Sequence, residues 1–187
     1  MNRLVLASAS PRRLQLLAQI GLEPDEVFAP NIDESAAPQE SPRVYAQRMA
    51  LAKLAAYPHA AFVISADTVV AAGARILPKT EFLSEAETCL HLLSGRRHRV
   101  YTAVAVRAAD GRVATKTVMS VVGFARLDIT QMQDYLASGE WQGKAGGYAA
   151  QGKAAAFIDY LAGSYSGVVG LPLHETANLL RGLGYRP

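Results

Sequence analysis

The first residues that could do chemistry lie in the segment LASASPRRLQLL at residues 6–17, where a short apolar run passes into a helical pattern. Ser10 is a favourable N-cap, and the proline after it suits the first helical position. Free amides at a helix start bind anions, and Ser8 can add a hydroxyl donor. Arg12 and Arg13 stand at the helix end that already carries partial positive charge, so they suit a bound phosphate better than the helix itself.

The two arginines also have a plainer interpretation, in which both side chains point into water. Residues 41–43 repeat Ser-Pro-Arg without a preceding apolar strand and with one arginine only, so the tripeptide alone marks a helix start. The strand and the doubled arginine favour an anion site at the first copy, although the two interpretations stay close. If both cations face a ligand, Glu at either position should weaken ligand binding and leave the fold intact or slightly more stable.

A carboxylate interrupts the apolar run VISADTVV at residues 63–70. Burying Asp67 is costly unless the side chain is paired, hydrogen-bonded or bound to a metal. Carboxylates on strands commonly hold Mg²⁺ or orient a water molecule, whereas the structural alternative is an Asp bonded to a nearby amide. Because unpaired buried carboxylates are rare, a functional role is favoured for Asp67, with Thr68 beside it.

Three weaker signals accompany these two segments. The loop NIDES contains Glu34, and Lys53 and Lys79 are isolated lysines; taken alone, all three are typical of solvated surfaces. The loop GKAGGYAAQGKAAAF has glycines that permit close backbone approach, and Gln151, whose amide can read a base edge. Together the set offers cations and amides for phosphate, carboxylates for a metal and an amide for a base. That combination points to a nucleotide.

The pattern of apolar residues predicts the elements that would position these side chains. Strands are expected at residues 3–8, 27–30, 60–72 and 75–78. Two further long strands should meet at a turn at residues 110–111, and a last strand should follow from the glycine-rich loop at residues 143–158. Helices are expected at residues 11–20, 42–57, 84–95, 130–139 and 171–185. The predicted class is α/β, or α+β, with a mixed sheet flanked by helices. No clear boundary divides residues 1–187, so one domain with two lobes is expected.

Capping residues and buried faces follow from the same pattern. Ser84 with Glu87 should form a capping box for the third helix, and Thr130 should cap the fourth. The expected buried positions are Leu14, Leu17 and Ala18 in the first helix, Tyr45, Met49, Ala52 and Ala56 in the second, Cys89, Leu90 and Leu93 in the third, and Leu173, Thr176 or Ala177, Leu180 and Leu183 in the last.

Composition narrows the class of protein. The net charge of +3 comes without a Lys/Arg block, so no nucleic-acid partner is expected. No apolar run approaches the roughly 20 residues of a membrane span, and the first residues lack a signal-peptide pattern, so a cytoplasmic protein without a membrane partner is expected. Cys89 is the only cysteine, which excludes an internal disulfide. The four histidines lack metal-ligand spacing and are predicted to be surface or packing residues.

Six ordered motifs resemble those of the Maf family of nucleotide pyrophosphatases. They are LASASPRRLQLLAQIGL, IDES, SADTVV, GRRHRVYTAVAV, KAGGYAAQGKAAAFI and GSYSGVVGLPLHET, and they span nearly the whole chain. The resemblance implies a two-lobed mixed α/β fold of the Maf and ITPase type, with a cleft between the lobes, and usually a homodimer. It also implies hydrolysis of a nucleoside triphosphate to the monophosphate and pyrophosphate with a divalent metal, normally Mg²⁺ and alternatively Mn²⁺.

The resemblance also implies roles for individual residues. Asp67 matches the family's proton acceptor, and Arg12, Thr68 and Gln151 match positions associated with substrate choice. Ser8, Arg13, Glu34, Lys53 and Lys79 match other polar cleft positions. On this basis Asp67 and Glu34 are expected to hold the metal, while the arginines, Lys53 and Lys79 neutralise the phosphate chain.

The resemblance leaves the preferred base open. The run SPRR with Thr68 and Gln151 resembles the branch that acts on dTTP and UTP, whereas the 7-methyl-GTP branch tends to have another residue where Arg12 stands. The chain departs from the family pattern near the cleft, at Pro78, Thr80, residues 142–143 and Ala150. A nucleotide-binding regulator of cell division without turnover is the alternative from another class, and it would not need Asp67.

Overall fold

The computed structural model describes residues 3–186 and contains one seven-stranded mixed sheet. The strands are β1 (Leu4–Ala7), β2 (Glu26–Phe28), β3 (Phe62–Ala72), β4 (Arg75–Ile76), β5 (Arg97–Arg107), β6 (Val113–Phe124) and β7 (Ile158–Ala162). The helices are α1 (Pro11–Gln19), α2 (Pro42–Ala55), α3 (Leu83–Leu93), α4 (Ile129–Ala137), α5 (Tyr165–Val169) and α6 (Leu173–Gly182), with a 3₁₀ helix at Lys153–Phe157. No helix in this part of the chain has the length and apolar character needed to cross a membrane.

The sheet has the order β2-β1-β3-β5-β6-β7, and β4 pairs with β3 outside that path. β1 is parallel to β2 and β3, while the pairs of β3 with β5, β5 with β6, and β6 with β7 are antiparallel. The turn predicted at residues 110–111 joins β5 to β6. The predicted α/β class with a mixed sheet flanked by helices is therefore confirmed, while the division into two lobes stays a prediction.

Alternation along β3 separates the apolar cores, because successive strand residues point to opposite faces. Val63 and Val69 pack in the cluster that contains the buried face of α2. Ile64 and Ala66 pack in the cluster formed with α1 and α6. Farther along the strand, Val70 joins a third cluster that includes α3 and α4. β3 thus passes through all three cores and can place a polar residue between them.

A gap in the sheet lies beside the middle of β3. β1 pairs with β3 as far as Ile64, and β4 begins to pair with it at Ala71. β5 lies along the other edge from Val63 to Ala71. Among the described residues, no strand covers residues 65–69 on the first edge. Side chains from both faces of β3 can therefore reach the space at this gap.

Two of the predicted helix caps are wrong. α3 begins at Leu83, one residue before the expected cap Ser84, and the carboxylate of Glu85 accepts hydrogen bonds from the amides of Glu81 and Phe82 at 2.8 and 3.2 Å. α4 is capped by Asp128, which accepts from the amide of Gln131 at 2.8 Å, rather than by Thr130. In α3 the carboxylate of Glu85 reaches back to amides that precede the helix, and in α4 the cap Asp128 lies two residues before the predicted hydroxyl.

The predicted faces of the first two helices are partly wrong. In α1 the side chain of Leu14 is 40% exposed and Ala18 is exposed, whereas Leu16 and Leu17 are buried. The buried face of α2 comprises Pro42, Ala46, Met49, Ala50, Lys53 and Leu54, so of the four predicted positions only Met49 belongs to it. Cys89, Leu90 and Leu93 are buried in α3 as predicted. The pattern fails in α2 because its buried face contains a lysine and mainly small residues, which carry little amphipathic signal.

Candidate active site

A cavity of about 450 Å³ opens at the gap beside β3. It lies where β1 ends and α1 begins, and the segment at residues 142–151 closes its far side. Its lining includes all nine residues that the sequence nominated: Ser8, Arg12, Arg13, Glu34, Lys53, Asp67, Thr68, Lys79 and Gln151. Residues from six separate parts of the chain thus meet in one place, while their individual chemical roles stay predictions.

A chain of alternating charges crosses this cavity. The ammonium of Lys53 lies 2.6 Å from Oδ1 of Asp67 and 2.7 Å from Oε1 of Glu34. The other carboxylate oxygen of Glu34 accepts a hydrogen bond from Lys79. Lys53 is 6% exposed and Asp67 is 3% exposed, so their pair is buried. Asp67 is thus buried as an ion pair with Lys53, and not through the bond to a nearby amide that was the structural alternative to a functional role.

α2 positions Lys53 in the last turn of its buried face. The ammonium there faces the negative end of the helix dipole as well as the carboxylate of Asp67. Ser65 on β3 donates a hydrogen bond of 2.7 Å to the carbonyl of Ala50 and fixes the helix against the strand. Lys53 is therefore not the solvated lysine that its isolated position in the sequence suggests.

The lysines also control the protonation of Glu34. Desolvation of its half-buried carboxylate raises the pKa, but hydrogen bonds from Lys53 and Lys79 outweigh this and lower the pKa to about 2. Glu34 is held in place as well, because the hydroxyl of Tyr45 donates to its carbonyl at 2.6 Å. The acidic loop is thus an ordered part of the cavity wall with an ionised carboxylate at neutral pH.

Arg13 is buried and its guanidinium is bonded to the protein. Nε donates to the carbonyl of Gly170 at 2.8 Å, Nη1 donates to Oγ of Ser8 at 2.8 Å, and Nη2 lies 3.4 Å from Oγ1 of Thr68. Burial lowers the pKa of Arg13, while the charge of Asp67 opposes that shift. Arg13 is therefore hydrogen-bonded within the protein rather than left free for a ligand, and we expect its replacement to destabilise the fold. Arg13 joins the start of α1, β3 and the turn after α5.

Gly170 is the position where this network needs a glycine. It ends α5 with φ of +145°, a conformation that residues with a side chain rarely adopt. A Cβ at Gly170 would also lie 3.7 Å from Nε of Arg13, in contact with the side chain that its carbonyl binds. The motif GVVG thus supplies a backbone acceptor rather than a side chain. Sequence reasoning missed this role because the partner is 157 residues away.

Arg12 differs from its neighbour in environment. Its side chain is half-buried at the cavity, and its buried Nε has no hydrogen-bond partner among the residues that the structure describes. Burial lowers the pKa of the guanidinium. No carboxylate of residues 3–186 forms a salt bridge with it. Arg12 can therefore offer its donors to an anion in the cavity.

The segment at residues 142–151 supplies lining residues that sequence reasoning did not nominate. Lys144 and Tyr148 line the cavity with Gln151, which is exposed on this segment. Burial and the nearby charge of Arg12 both lower the pKa of Lys144. The segment is hydrogen-bonded to Thr80, the residue after Lys79, since the amide of Gly143 donates to the carbonyl of Thr80 at 2.8 Å. The motif KAGGY contained the signal for Lys144 and Tyr148.

The end of this segment is fixed by a carboxylate. Glu140 accepts hydrogen bonds from the amides of Lys153 and Ala154 at 2.9 and 3.4 Å. A Cβ at Gly152 would lie 2.4 Å from that carboxylate, so a side chain there would displace Glu140 from the two amides that it binds. Gln151 is therefore placed at the cavity by a turn with little freedom.

Asp67 and Glu34 are the carboxylates that could hold a metal here. Both carboxylates contact the same ammonium, so they converge on one point of the cavity. Among residues 3–186 no group of three or more His, Cys, Asp or Glu side chains is arranged as a metal site. This donor set fits Mg²⁺, which is commonly bound by one or two carboxylates together with substrate phosphates rather than by a complete protein cage.

Comparison with known proteins agrees with the motifs. The dTTP/UTP pyrophosphatase of Caulobacter vibrioides is 58% identical over 187 residues, which cover 98% of this chain and 97% of that protein. The dTTP/UTP pyrophosphatase of Rhodospirillum rubrum is 57% identical, with coverage of 98% and 89%. The Ham1 protein of Staphylococcus aureus is a more distant neighbour, 16% identical over 65% of this chain and 71% of its own, with a TM-score of 0.45. The profile of the Maf-like protein family matches residues 3–183, and this chain belongs to that family.

Proposed function

We propose that this chain is a nucleoside triphosphate pyrophosphatase that hydrolyses dTTP and UTP to the monophosphate and pyrophosphate. The observation that carries the proposal is the buried Lys53–Asp67 pair, which opens onto the same cavity as Arg12 and Gln151. Relatives that are more than half identical over nearly the whole chain are named dTTP/UTP pyrophosphatases, which supports this choice of substrate.

The reaction begins with attack of water on the α-phosphorus. Lys53 fixes Asp67 through Oδ1 at 2.6 Å, so the carboxylate is oriented before substrate binds. Asp67 accepts the proton of the attacking water, which makes the oxygen a better nucleophile. The bond from the α-phosphorus to its bridging oxygen breaks, and pyrophosphate leaves. Lys53 also places a positive charge beside Asp67, which reduces the repulsion between this carboxylate and an anionic substrate.

Charge stabilisation makes up the rest of the mechanism. Negative charge develops on the phosphoryl oxygens and the leaving pyrophosphate, and cations held at the cavity stabilise it. Arg12 and Lys79 supply such cations at the cavity surface, and the amides at the start of α1 add donors. Ser8 and Arg13 act differently, because their mutual hydrogen bond shapes the turn that presents these amides.

A divalent metal is part of the proposal, with Mg²⁺ favoured over Mn²⁺. Asp67 and Glu34 would hold it, and when bound it would polarise the phosphoryl oxygens and add positive charge near the leaving group. Lys53 touches both carboxylates, so its ammonium limits how they can turn towards a cation. Thr68 and Gln151 lie at the same cavity and are proposed to contribute to the choice of base.

Pyrophosphate release from a panel of nucleotides tests the function. The panel contains dTTP, UTP, 7-methyl-GTP, dATP and dGTP, each with Mg²⁺, with Mn²⁺ and with a chelator. We expect metal-dependent release of one pyrophosphate per monophosphate from dTTP and UTP. Turnover of 7-methyl-GTP alone would replace the proposed substrate and keep the reaction class. Nucleotide binding without turnover across the panel would contradict the enzyme and favour a regulator.

We also propose that the chain acts as a cytoplasmic homodimer with no nucleic-acid or membrane partner. The family resemblance supports the dimer, and the single cysteine, which is buried and free, suits a reducing compartment. Light scattering coupled to gel filtration measures the mass directly, and a monomer at micromolar concentration would contradict the dimer. Fractionation of cells that express the tagged chain tests the compartment.

A further inference from the structure

His98 is a buried polar residue that the proposed mechanism does not use. It lies on β5, is 2% exposed, and packs edge-to-face against the rings of Phe124 and Tyr148. Its Nε2 is 2.7 Å from the hydroxyl of Tyr148, whereas its buried Nδ1 has no partner among the described residues. A polar group buried in an apolar cluster costs free energy unless it is hydrogen-bonded, so the single hydrogen bond of His98 needs an explanation.

Tyr148 connects His98 to the cavity. It belongs to the segment at residues 142–151, lines the cavity, and is itself buried. Its ring packs against Phe124 in the core at a centroid distance of 4.9 Å, while its hydroxyl reaches His98 on the sheet. Three residues later, Gln151 is exposed at the same cavity.

The rest of the segment is held by other means at its two ends. Near its start, the amide of Gly146 donates to the carbonyl of Pro78 at 2.9 Å, and residues 143–144 pair with Thr80. Beyond its end, Glu140 binds the amides of Lys153 and Ala154. Between these two anchors, the hydrogen bond between Tyr148 and His98 is the side-chain hydrogen bond that links the segment to the sheet among the residues described.

We propose that His98 is a positioning residue, which holds the segment at residues 142–151 against β5 through Tyr148 and so places Gln151 and Lys144 at the substrate cavity. The proposal rests on the proposed function only for its activity readout. Burial lowers the pKa of His98 to about 4, so the ring is neutral near pH 7 and no counter-ion is required in the apolar cluster. Loss of the bond should therefore weaken substrate binding and leave the chemical step at Asp67 unchanged.

Four variants separate positioning from general stability. Tyr148→Phe removes the hydroxyl, and His98→Asn withdraws the nitrogen because its amide lies near the place of Nδ1. His98→Gln restores a polar group near the place of Nε2. Tyr57→Phe is the matched control, because the Tyr57 hydroxyl makes a similar buried-ring hydrogen bond of 2.8 Å to Glu26, away from the cavity.

The measurements are KM and kcat for dTTP and hydrogen exchange of the amides at residues 143–152. For Tyr148→Phe and His98→Asn we expect KM to rise about threefold to tenfold, the range given by one lost hydrogen bond, with kcat changed less than about twofold. Exchange in the segment should accelerate in both variants, and His98→Gln should restore much of each effect. Tyr57→Phe should leave KM and the exchange of this segment as in the wild type.

The outcomes distinguish this proposal from the proposed function. Wild-type protein that releases no pyrophosphate would contradict the function, and hydrogen exchange would then decide the positioning role by itself. Unchanged exchange at residues 143–152 in Tyr148→Phe would overturn the proposal, as would a fall in kcat with constant KM. Equal effects of Tyr57→Phe and Tyr148→Phe on KM would overturn it too, because they would assign the effect to general stability.

Discussion

The same substitution should affect different properties at the two neighbouring arginines at the start of α1, stability at one and nucleotide affinity at the other. Arg13→Met removes a buried guanidinium that is bonded to Gly170 and Ser8, whereas Arg12→Met removes a half-buried one whose Nε has no partner among the described residues. Methionine keeps much of the side-chain length and adds no new charge. The first variant should mainly lose stability, and the second should mainly lose affinity for the nucleotide.

The size of the Arg13 effect follows from its contacts. Two hydrogen bonds of 2.8 Å from a charged group contribute about 1.5–3 kcal/mol each, and the contact of 3.4 Å with Thr68 adds little. Removing the guanidinium also removes its desolvation cost, which offsets part of this loss. A net decrease of about 2–4 kcal/mol in the free energy of unfolding is expected for Arg13→Met. For Arg12→Met the change should stay within about 1 kcal/mol.

Urea unfolding measures the stability of both variants, and calorimetric titration of dTTP with Mn²⁺ or Mg²⁺ measures their affinity. For a chain of this size, the loss at Arg13 corresponds to a fall of roughly 5–15 °C in Tm. Arg12→Met should raise the Kd about tenfold or more, since a charge-assisted contact with phosphate is lost. An Arg13→Met variant as stable as the wild type, with an affinity loss like that of Arg12→Met, would refute the reasoning.

Three further substitutions test other parts of the cavity. Asp67→Asn keeps the shape and should lower kcat about 100-fold or more, and turnover near the wild-type rate would contradict its role as proton acceptor. The pKa of Glu34 is lowered from 4.5 to about 2, so its carboxylate stabilises the fold above pH 4.5, and this contribution is lost as the pH falls towards 2. Urea unfolding at pH 5 and at pH 3 should therefore show a smaller acid-induced loss of unfolding free energy in Glu34→Gln than in the wild type. Gly152→Ala, which forces Cβ against Glu140, should raise KM, whereas Gly182→Ala, with open space around it, should leave KM unchanged.

Local patterns were sufficient to predict most of the elements, whereas the nomination of Glu34, Lys53 and Lys79 depended on the family resemblance. The start of α1, the turn between β5 and β6 and the long strand β3 depend on residues close in sequence, namely a cap, a turn dipeptide and an apolar run. The nine nominated residues were found because each is chemically unusual in its local setting or matches a family motif. Their meeting in one cavity required the fold.

Burial of charge could not be predicted in the same way. Lys53 and Arg13 are buried because residues on other elements pair with them, Asp67 in one case and Gly170 in the other. In a local window each side chain is indistinguishable from a solvated cation. The short helix α5 was missed for a related reason, since five residues are too few to establish a helical period.

The compensation of charge explains why the two sides of the cavity should do different work. Lys53 and Lys79 are bonded to Asp67 and Glu34, so this group of four side chains is neutral in total and already ordered without substrate. Arg12 and Lys144 have no carboxylate within salt-bridge distance among residues 3–186, and burial lowers the pKa of both, so an anion relieves an existing cost there. Uncompensated cations favour binding of any anion, whereas a preordered neutral group favours the geometry of one reaction. Affinity should therefore depend mainly on Arg12 and Lys144, and rate mainly on Lys53 and Asp67.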